Sequence, residues 1–354
     1  METYVVSALK YRPKSFKEVV GQKSITQTLE NAIDKNQLAQ ALLFCGPRGV
    51  GKTSCARILA KKINSQGLEK PQEDFAFNIF ELDAASNNSV DDIRSLNEKV
   101  RIPPQIGTYK IYIIDEVHML SIGAFNAFLK TLEEPPKHVI FILATTEKHK
   151  IIPTILSRCQ IFDFKRISVM DCSRHLQKIA KDQNLVFEDE ALDLIAKKAD
   201  GALRDALSIY DRMISFTDKN LTVKSISENL NILDLETFFS ITTLILKNNI
   251  PDLLLAFDSL LKKGFDELQF IIGLGSHFRN LAISKEKKTL HLLEVNEANK
   301  EKFIKQTLKA PLSFLLKGID LTSKCELDYR NTKNKRLLIE LCLMQMASLH
   351  LEEK

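Results

Sequence analysis

Residues 46 to 53 have the composition and surroundings of a phosphate-binding loop. The run reads Gly46-Pro47-Arg48-Gly49-Val50-Gly51-Lys52-Thr53, after the apolar run ALLFC and before the helical pattern SCARILAKKI. Glycines let the backbone turn tightly and direct its N–H groups at phosphate oxygens, and the following helix presents its positive N-terminal end. We expect Lys52 to reach the β- and γ-phosphates of ATP and the Thr53 hydroxyl to bind Mg²⁺. The alternative is an ordinary glycine-rich turn between a strand and a helix.

A pair of acids, Asp115 and Glu116, ends the apolar run IYII. A carboxylate at the end of a buried strand can complete a Mg²⁺ shell, and its neighbour can orient the attacking water. We therefore expect Asp115 to bind the metal and Glu116 to act on the water. The alternative is that both acids simply begin a solvated loop.

Three further side chains are candidates for the same site. Thr146 follows another apolar run, where a hydroxyl can hydrogen-bond a phosphate or water, although Thr is also common in strands for packing reasons. Arg158 has a forked, permanently charged side chain that suits insertion into a neighbouring subunit's site, or a surface salt bridge. Arg204 either folds onto the nucleotide from a helical segment or caps a solvated helix face.

The elements that must position these residues alternate along the first half of the chain. Short Ile/Leu/Val/Phe-rich runs, typical of strands covered on both faces, alternate with longer amphipathic stretches. Predicted strands span 41–45, 78–82, 110–115, 139–145 and 160–164. This pattern predicts an α/β core with a five-stranded parallel sheet.

The strand signal stops after about residue 167. Helices are predicted at 170–184, 189–199 and over the run GALRDALSIYDRMI, and the chain is again helical from about 222, with a helix start at Pro251. We predict a nucleotide-binding domain at 1–166, a small helical lid at 167–223 and an all-α collar at 224–354. These three domains are expected to fill the 354 residues.

Composition excludes several classes of protein. With 44% hydrophobic residues, 12 Gly and 10 Pro, the chain is neither disordered nor collagen-like, and its net charge of +5 permits anionic partners without requiring them. The six cysteines form no CxxC pair, which argues against a disulfide framework or a zinc ribbon. Because no leader opens the chain and no apolar run approaches the roughly 20 residues that span a bilayer, we expect a cytoplasmic protein without membrane contact.

Several motifs, in this order, resemble AAA+ ATPases of the clamp-loader group: the phosphate loop, DEVH at 115–118, ATT at 144–146, SRC at 157–159 and GALRDAL at 201–207. Four longer stretches closely resemble the gamma/tau family of the bacterial DNA polymerase III clamp loader: YRPKSFKEVVGQ at 11–22, ELDAASN at 81–87, IDEVHMLSIGAFNAFLKTLEEPP at 114–136 and ATTEKHKIIPTILSRC at 144–159. The resemblance covers residues 1 to about 210, and the remainder fits the family's collar by position and character.

This resemblance implies roles for individual residues. Arg12 and Pro13 would lie near the adenine and ribose, and Val19 and Val20 would line the base pocket. Thr146 would be the first sensor of the γ-phosphate. Arg158 would act as an arginine finger in a neighbouring subunit, and Arg204 would be the second sensor, coupling the lid to ATP.

The resemblance also implies partners and a cycle. ATP at subunit interfaces would tighten a head-to-tail ring or spiral of delta, delta-prime and further gamma/tau copies, which opens a sliding clamp on primer-template DNA; hydrolysis would release the clamp. The segment 120–130 resembles the helix that tracks the DNA backbone, with a solvated helix as the alternative. Unlike most members of the family, this chain has no four-cysteine module at 64–77, so no structural zinc is expected.

Two other functions compete with this interpretation. A Holliday-junction branch-migration motor shares the AAA+ core but ends in a winged-helix domain, and the C-terminal third shows no β-wing pattern. A silent scaffold such as the delta-prime subunit lacks a working phosphate loop, whereas the loop is complete here.

Overall fold

The computed structural model describes residues 5–65, 77–105, 107–217, 220–230, 233, 235–293 and 297–349. The chain divides into two compact units, Met1–Ile226 and Ser227–Lys354. Within the described residues, no helix is both long enough and apolar enough to cross a membrane.

The first unit is built on five parallel strands: β1 (Ala41–Cys45), β2 (Ile79–Asp83), β3 (Lys110–Asp115), β4 (Val139–Thr145) and β5 (Gln160–Asp163). Their order across the sheet is β2-β3-β4-β1-β5. The predicted five-stranded parallel sheet is therefore confirmed, with three strand ends displaced by a residue: both ends of β2 and the last residue of β5. The order places the carboxyl ends of β3, β4 and β1 side by side, with Cys45 level with Thr145.

Nine helices of the first unit's described residues surround this sheet or follow it: α1 (Ser7–Lys10), α2 (Lys23–Asp34), α3 (Lys52–Ser65), α4 (Val90–Val100), α5 (Ile122–Glu133), α6 (Pro153–Leu156), α7 (Val169–Asp182), α8 (Asp189–Lys198) and α9 (Leu203–Thr217). Alternate residues of each strand enter two different cores, Leu42 and Phe44 on the side of α2 and α3, and Leu43 on the side of α4 and α5. Because both faces are covered, the strands read as continuous apolar runs.

The segment after residue 167 is not purely helical as expected. Two short strands, β6 (Val186–Phe187) and β7 (Asn220–Leu221), pair in parallel beside α7, α8 and α9. Each strand has only two residues, which are too few to show an alternating pattern of apolar and polar side chains. The three predicted lid helices are present within a few residues of their expected bounds.

The second unit is all-helical in its described residues. The helix α10 (Val223–Asn229) runs across the division between the units, and six more follow: α11 (Leu235–Leu246), α12 (Ile250–Lys262), α13 (Glu267–Ile283), α14 (Glu297–Thr307), α15 (Leu312–Tyr329) and α16 (Lys335–Ser348). One aromatic-rich core joins α11 to α16 and includes Phe257, Phe270, Phe278 and Phe314. Asn249 caps α12 by accepting the N–H of Asp252, and the predicted start, Pro251, is the second residue of the helix.

Candidate functional site

The phosphate-loop sequence folds as a tight turn between β1 and α3. Gly46, Gly49 and Gly51 all have positive φ angles, of 144°, 76° and 103°. A Cβ atom on Gly46 would lie 2.4 Å from the backbone oxygen of Phe164, so this position excludes any side chain. A Cβ atom on Gly49 would lie 3.1 Å from the Cβ of Ala202, at the start of the lid helix α9. The glycines thus serve both the backbone conformation and the close approach of the lid.

Lys52 is buried at the first position of α3, with 6% of its surface exposed. Its Nζ donates to the backbone oxygens of Gly46, at 2.7 Å, and Pro47, at 2.8 Å. Burial lowers the pKa of the Lys52 ammonium, and the charges of Glu116 and Asp115 act against that shift. Lys52 Nζ is therefore held against the backbone of the loop.

The two acids after β3 hold different partners. The Asp115 carboxylate accepts a 2.6 Å hydrogen bond from the Thr53 hydroxyl and a 2.9 Å bond from the N–H of Glu116. Glu116 has the left-handed φ of 47°, which turns the chain sharply at the strand end. Its Oε2 atom accepts from the Thr146 hydroxyl at 3.0 Å and from the Thr146 N–H at 3.4 Å.

A cavity of about 700 Å³ lies beside these groups. Thirteen of the predicted residues line it: Arg12, Pro13, Val19, Val20, Arg48, Gly49, Val50, Gly51, Lys52, Thr53, Asp115, Glu116 and Arg204. Segments far apart in sequence therefore meet at one space, which is large enough for a nucleotide-sized ligand.

Two arginines that are far apart in the sequence, Arg12 and Arg204, line the cavity. The Arg12 Nε donates to the Ser54 hydroxyl at 3.2 Å, on the first turn of α3. Burial lowers the pKa of Arg12, and the charge of Arg57 adds to that shift. Arg204 is tied to the loop through its backbone, whose N–H donates to the Gly49 oxygen at 3.5 Å.

Four predicted residues, Gly46, Pro47, Thr146 and Arg158, are not among the residues that line this cavity. The first two contact Lys52 and Thr146 contacts Glu116, so each still adjoins the site. Arg158 does not: its Nη2 pairs with Glu133 at 2.6 Å and its Nη1 donates to the Thr154 oxygen at 2.7 Å. The structure thus separates Arg158 from the other candidates of its own chain.

Several site residues were missed by the sequence interpretation. Arg57, His175 and Asp211 line the cavity from α3, α7 and α9. Burial lowers the pKa of His175, and the Lys178 charge contributes. Gln22 donates to the Lys165 oxygen at 2.6 Å, tying the start of α2 to the chain leaving β5. Of these four residues, only Gln22 belongs to a stretch that carried the family resemblance, because it is the last residue of YRPKSFKEVVGQ.

His118, in the turn after Glu116, was also assigned no role. Its Nδ1 shares a 3.1 Å hydrogen bond with the Thr145 hydroxyl and lies 3.5 Å from Glu116 Oε2. The DEVH motif contained this histidine, but only the folded turn shows what it contacts.

Comparisons with known proteins bear on what this site does. Residues 21–168 match a family profile described as DNA polymerase III, delta subunit, and residues 171–219 match one described as DNA polymerase III clamp loader subunit, ATPase lid domain. DNA polymerase III subunit gamma of Buchnera aphidicola subsp. Schizaphis graminum is 32% identical over 97% of this chain and 98% of its own length. The chain belongs to the gamma/tau subunit family of DNA polymerase III. The resemblance inferred from the motifs is therefore confirmed.

Other members of the gamma/tau family are more similar but match over a smaller share of their length. DNA polymerase III subunit tau of Bacillus subtilis is 40% identical over 95% of this chain and 62% of its own length. The tau subunit of Escherichia coli is 40% identical over 70% of this chain and 40% of its own length. The chain thus spans between about two fifths and three fifths of these two relatives.

Solved structures give the same fold. A structure of the Thermotoga maritima RuvB Holliday junction branch migration motor matches with a TM-score of 0.52 and 22% identity, covering 66% of this chain and 79% of that chain. At this identity the likeness establishes the AAA+ fold alone. The gamma/tau family is a family of AAA+ ATPases, which use a nucleotide with Mg²⁺.

Proposed function

We propose that this protein is the ATP-hydrolysing motor subunit of a DNA polymerase III clamp loader, which opens a sliding clamp and loads it onto primer-template DNA. One observation carries the proposal: the Thr53 hydroxyl and the Asp115 carboxylate meet at 2.6 Å, beside a complete phosphate loop. This pairing joins the start of α3 to the end of β3, where nucleotide-hydrolysing sites assemble.

The donor set suits a magnesium nucleotide. Hydroxyl and carboxylate oxygens are the hard ligands that Mg²⁺ prefers, and Thr53 and Asp115 would hold it together with phosphate oxygens. When bound, Mg²⁺ would neutralise charge on the phosphates of ATP. Lys52 and the backbone N–H groups of 48–51 would bind the phosphates. Arg12, Pro13, Val19 and Val20 would surround the ribose and base.

Glu116 would orient the attacking water, because its carboxylate lies at the end of β3 next to the metal ligand. Thr146 would act as the first sensor through its two contacts to Glu116. Arg204, which lines the same cavity from the lid, would be the second sensor. Lid position would thereby depend on the bound nucleotide.

Arg158 would act in trans, as an arginine finger completing the site of a neighbouring subunit. Its ion pair with Glu133, away from the residues lining its own cavity, supports this role. Contact between two different surfaces generates a head-to-tail ring or spiral. The proposed partners are delta, delta-prime, further gamma/tau copies, the sliding clamp and primer-template DNA.

The proposed DNA-tracking segment, 120–130, forms most of α5. Phe125 and Phe128 face the core, whereas Ile122, Asn126 and Lys130 are exposed at intervals of four residues. The Lys130 and Asn126 side chains of this face could contact a phosphate backbone.

We also propose the domain division 1–166, 167–223 and 224–354, a cytoplasmic location, and the absence of structural zinc. Residues 66–76 of the segment where the family usually carries its zinc module lie outside the described residues. Metal analysis of the purified protein tests the last proposal, and about one tightly held zinc per chain would contradict it.

The Lys52→Ala substitution tests the assigned site. In the presence of clamp and primer-template DNA we expect ATP hydrolysis to fall by at least about 100-fold, because the cation that stabilises the phosphates is removed. Lys62→Ala is the matched control: Lys62 lies on the same helix, paired with Glu30 at 2.8 Å. Stimulated hydrolysis that survives Lys52→Ala would refute the site, and a scaffold function predicts no hydrolysis in the wild type.

Mixing two inactive variants tests the action in trans. Subunits carrying Lys52→Ala lack a working phosphate loop but keep the proposed arginine finger. Subunits carrying Arg158→Ala keep the phosphate loop but lack the finger. Mixed assemblies should regain part of the activity at interfaces that pair an intact loop with an intact finger. Absence of any recovery would count against a finger role for Arg158.

A further inference from the structure

His118 is buried between the ends of two strands of the site. It lies in the single 3-10 turn Val117–Met119, which follows the left-handed Glu116. Only 7% of its side chain is exposed. Such burial of a polar ring is stable only when its nitrogen atoms have partners, so the contacts of His118 bear on its role.

Those contacts all involve the strand ends that carry the proposed chemistry. The Nδ1 atom shares a 3.1 Å hydrogen bond with Thr145 Oγ1, at the end of β4, and lies 3.5 Å from Oε2 of Glu116. On its other edge, Nε2 lies 3.9 Å from an oxygen of Glu147. The imidazole therefore spans the gap between the turn after β3 and the turn after β4.

The same oxygen of Glu116 is held from a second direction. Thr146, the residue after Thr145, donates to Glu116 Oε2 through both its hydroxyl and its N–H. Thr145 is in turn fixed by the Glu147 N–H, which donates to its hydroxyl at 3.0 Å. The Glu116 carboxylate is thus enclosed by Thr146 on one side and by the Nδ1 edge of His118 on the other.

We propose that His118 is a positioning residue for Glu116, fixing the carboxylate against the end of β4 through its Nδ1 edge. The inference rests on the proposed role of Glu116 in hydrolysis. A carboxylate on a strained turn has several rotamers, and its water-orienting function needs one of them. His118 itself would touch neither nucleotide nor water.

Three substitutions of His118 separate the two edges of the ring. In Asn, a polar atom of the side-chain amide occupies roughly the position of Nδ1, and in Gln roughly that of Nε2, whereas Ala has neither. A matched control is His138→Ala, at the opposite end of β4, where the ring contacts the Val100 oxygen at 3.1 Å. The assembled full-length protein is assayed for phosphate release with clamp and primer-template DNA, and for binding of a fluorescent ATP analogue.

We expect His118→Ala and His118→Gln to lower kcat by about 10- to 100-fold while the Kd of the analogue changes by less than about 3-fold. His118→Asn and His138→Ala should stay within about 3-fold of the wild-type kcat. A purely structural role for the ring would not produce selective rescue by Asn.

Other outcomes would overturn the inference. These are an unchanged kcat in His118→Ala, a loss as large in Asn as in Ala, rescue by Gln alone, or a rise in Kd that accounts for the loss. If the His118→Ala chain fails to fold, the contrast between Asn and Gln still decides the question. If the wild type hydrolyses ATP and the His118 substitutions have no effect on hydrolysis, only this inference is refuted. If the wild type does not hydrolyse ATP, the proposed function is refuted as well.

Discussion

Acidification should destabilise the C-terminal unit through one buried histidine. His277, on α13, is 2% exposed, and its ring packs against Phe238, Phe239 and Phe303 with centroid distances of 6.0, 4.8 and 5.1 Å. Gln306 fixes its tautomer, because the Gln306 amide nitrogen donates to the Phe239 oxygen and leaves Oε1 to accept from His277 Nε2 at 3.0 Å. A proton added at Nδ1, which has no hydrogen-bond partner among the described residues, would be buried unpaired.

Burial lowers the pKa of His277 from its ordinary 6.5 to about 4, with the hydrogen bond to Gln306 opposing the shift. Between these values the unfolded chain binds a proton that the folded chain does not, so the free energy of unfolding falls as the pH falls. At about 1.4 kcal/mol per pKa unit the full effect is about 3 kcal/mol, of which about 2 kcal/mol should appear between about pH 7.5 and about pH 5.

Urea unfolding followed by circular dichroism, with the wild type and His277→Phe compared at both pH values, measures this difference. The Phe variant keeps an aromatic ring in the cluster but cannot titrate, so its pH dependence should be smaller by about 2 kcal/mol. NMR gives a direct control, since one of the seven histidine ring signals should vanish in the variant and should not titrate near its ordinary pKa in the wild type. Equal pH dependence in both proteins, or a His277 signal that titrates near 6.5, would refute the reasoning.

Three local substitutions test how the backbone of each unit is built. Gly46→Ala places a Cβ atom 2.4 Å from the Phe164 backbone oxygen, so we expect nucleotide binding to weaken by more than about 10-fold and the melting temperature to fall. Gly264 also has a positive φ, but a Cβ atom there would meet no atom within 4 Å, so Gly264→Ala should lower the free energy of unfolding by only about 1–2 kcal/mol through backbone strain. Equal effects of the two changes would show that the clash of Gly46→Ala with the Phe164 oxygen is relieved. Asn249→Ala should cost about 1 kcal/mol in urea unfolding by removing the cap of α12, and an unchanged unfolding free energy would show that another group caps it.

The sheet could be predicted because its sequence signal is local. Strands such as β1 and β4 are buried on both faces, so their apolar runs stand out from the amphipathic helices between them. The pair β6 and β7 could not be predicted, because two-residue strands are stabilised by the helices around them rather than by their own pattern. The start of α12 was predicted to within one residue from Pro251, because proline is favoured in the first turn of a helix.

The residues of the candidate site also fall into those that could be predicted from the sequence and those that could not. Lys52, Thr53, Asp115 and Glu116 lie at strand and helix ends, where topology alone brings them together. The contacts of His118 depend on the left-handed turn at Glu116, and the residue types of the DEVH motif do not predict that turn. His175 and Asp211 reach the cavity only because the lid helices fold beside the phosphate loop, a tertiary relation that spacing along the chain does not encode.

The two arginines show most clearly what the folded chain adds. In sequence, Arg158 and Arg204 are alike: each is a lone cation that either serves ATP or forms a surface contact. In the folded unit, Arg204 lines the cavity beside the phosphate loop, while Arg158 is held by Glu133 and the Thr154 oxygen away from the residues lining that cavity. An exposed ion pair of this kind is worth only about 0–1 kcal/mol, so it orients the guanidinium without binding it tightly. A neighbour's triphosphate would outcompete Glu133 for the same fork, since it carries more charge and more acceptor oxygens. Where each side chain lies therefore supports the proposed division of labour, with Arg204 in cis and Arg158 in trans.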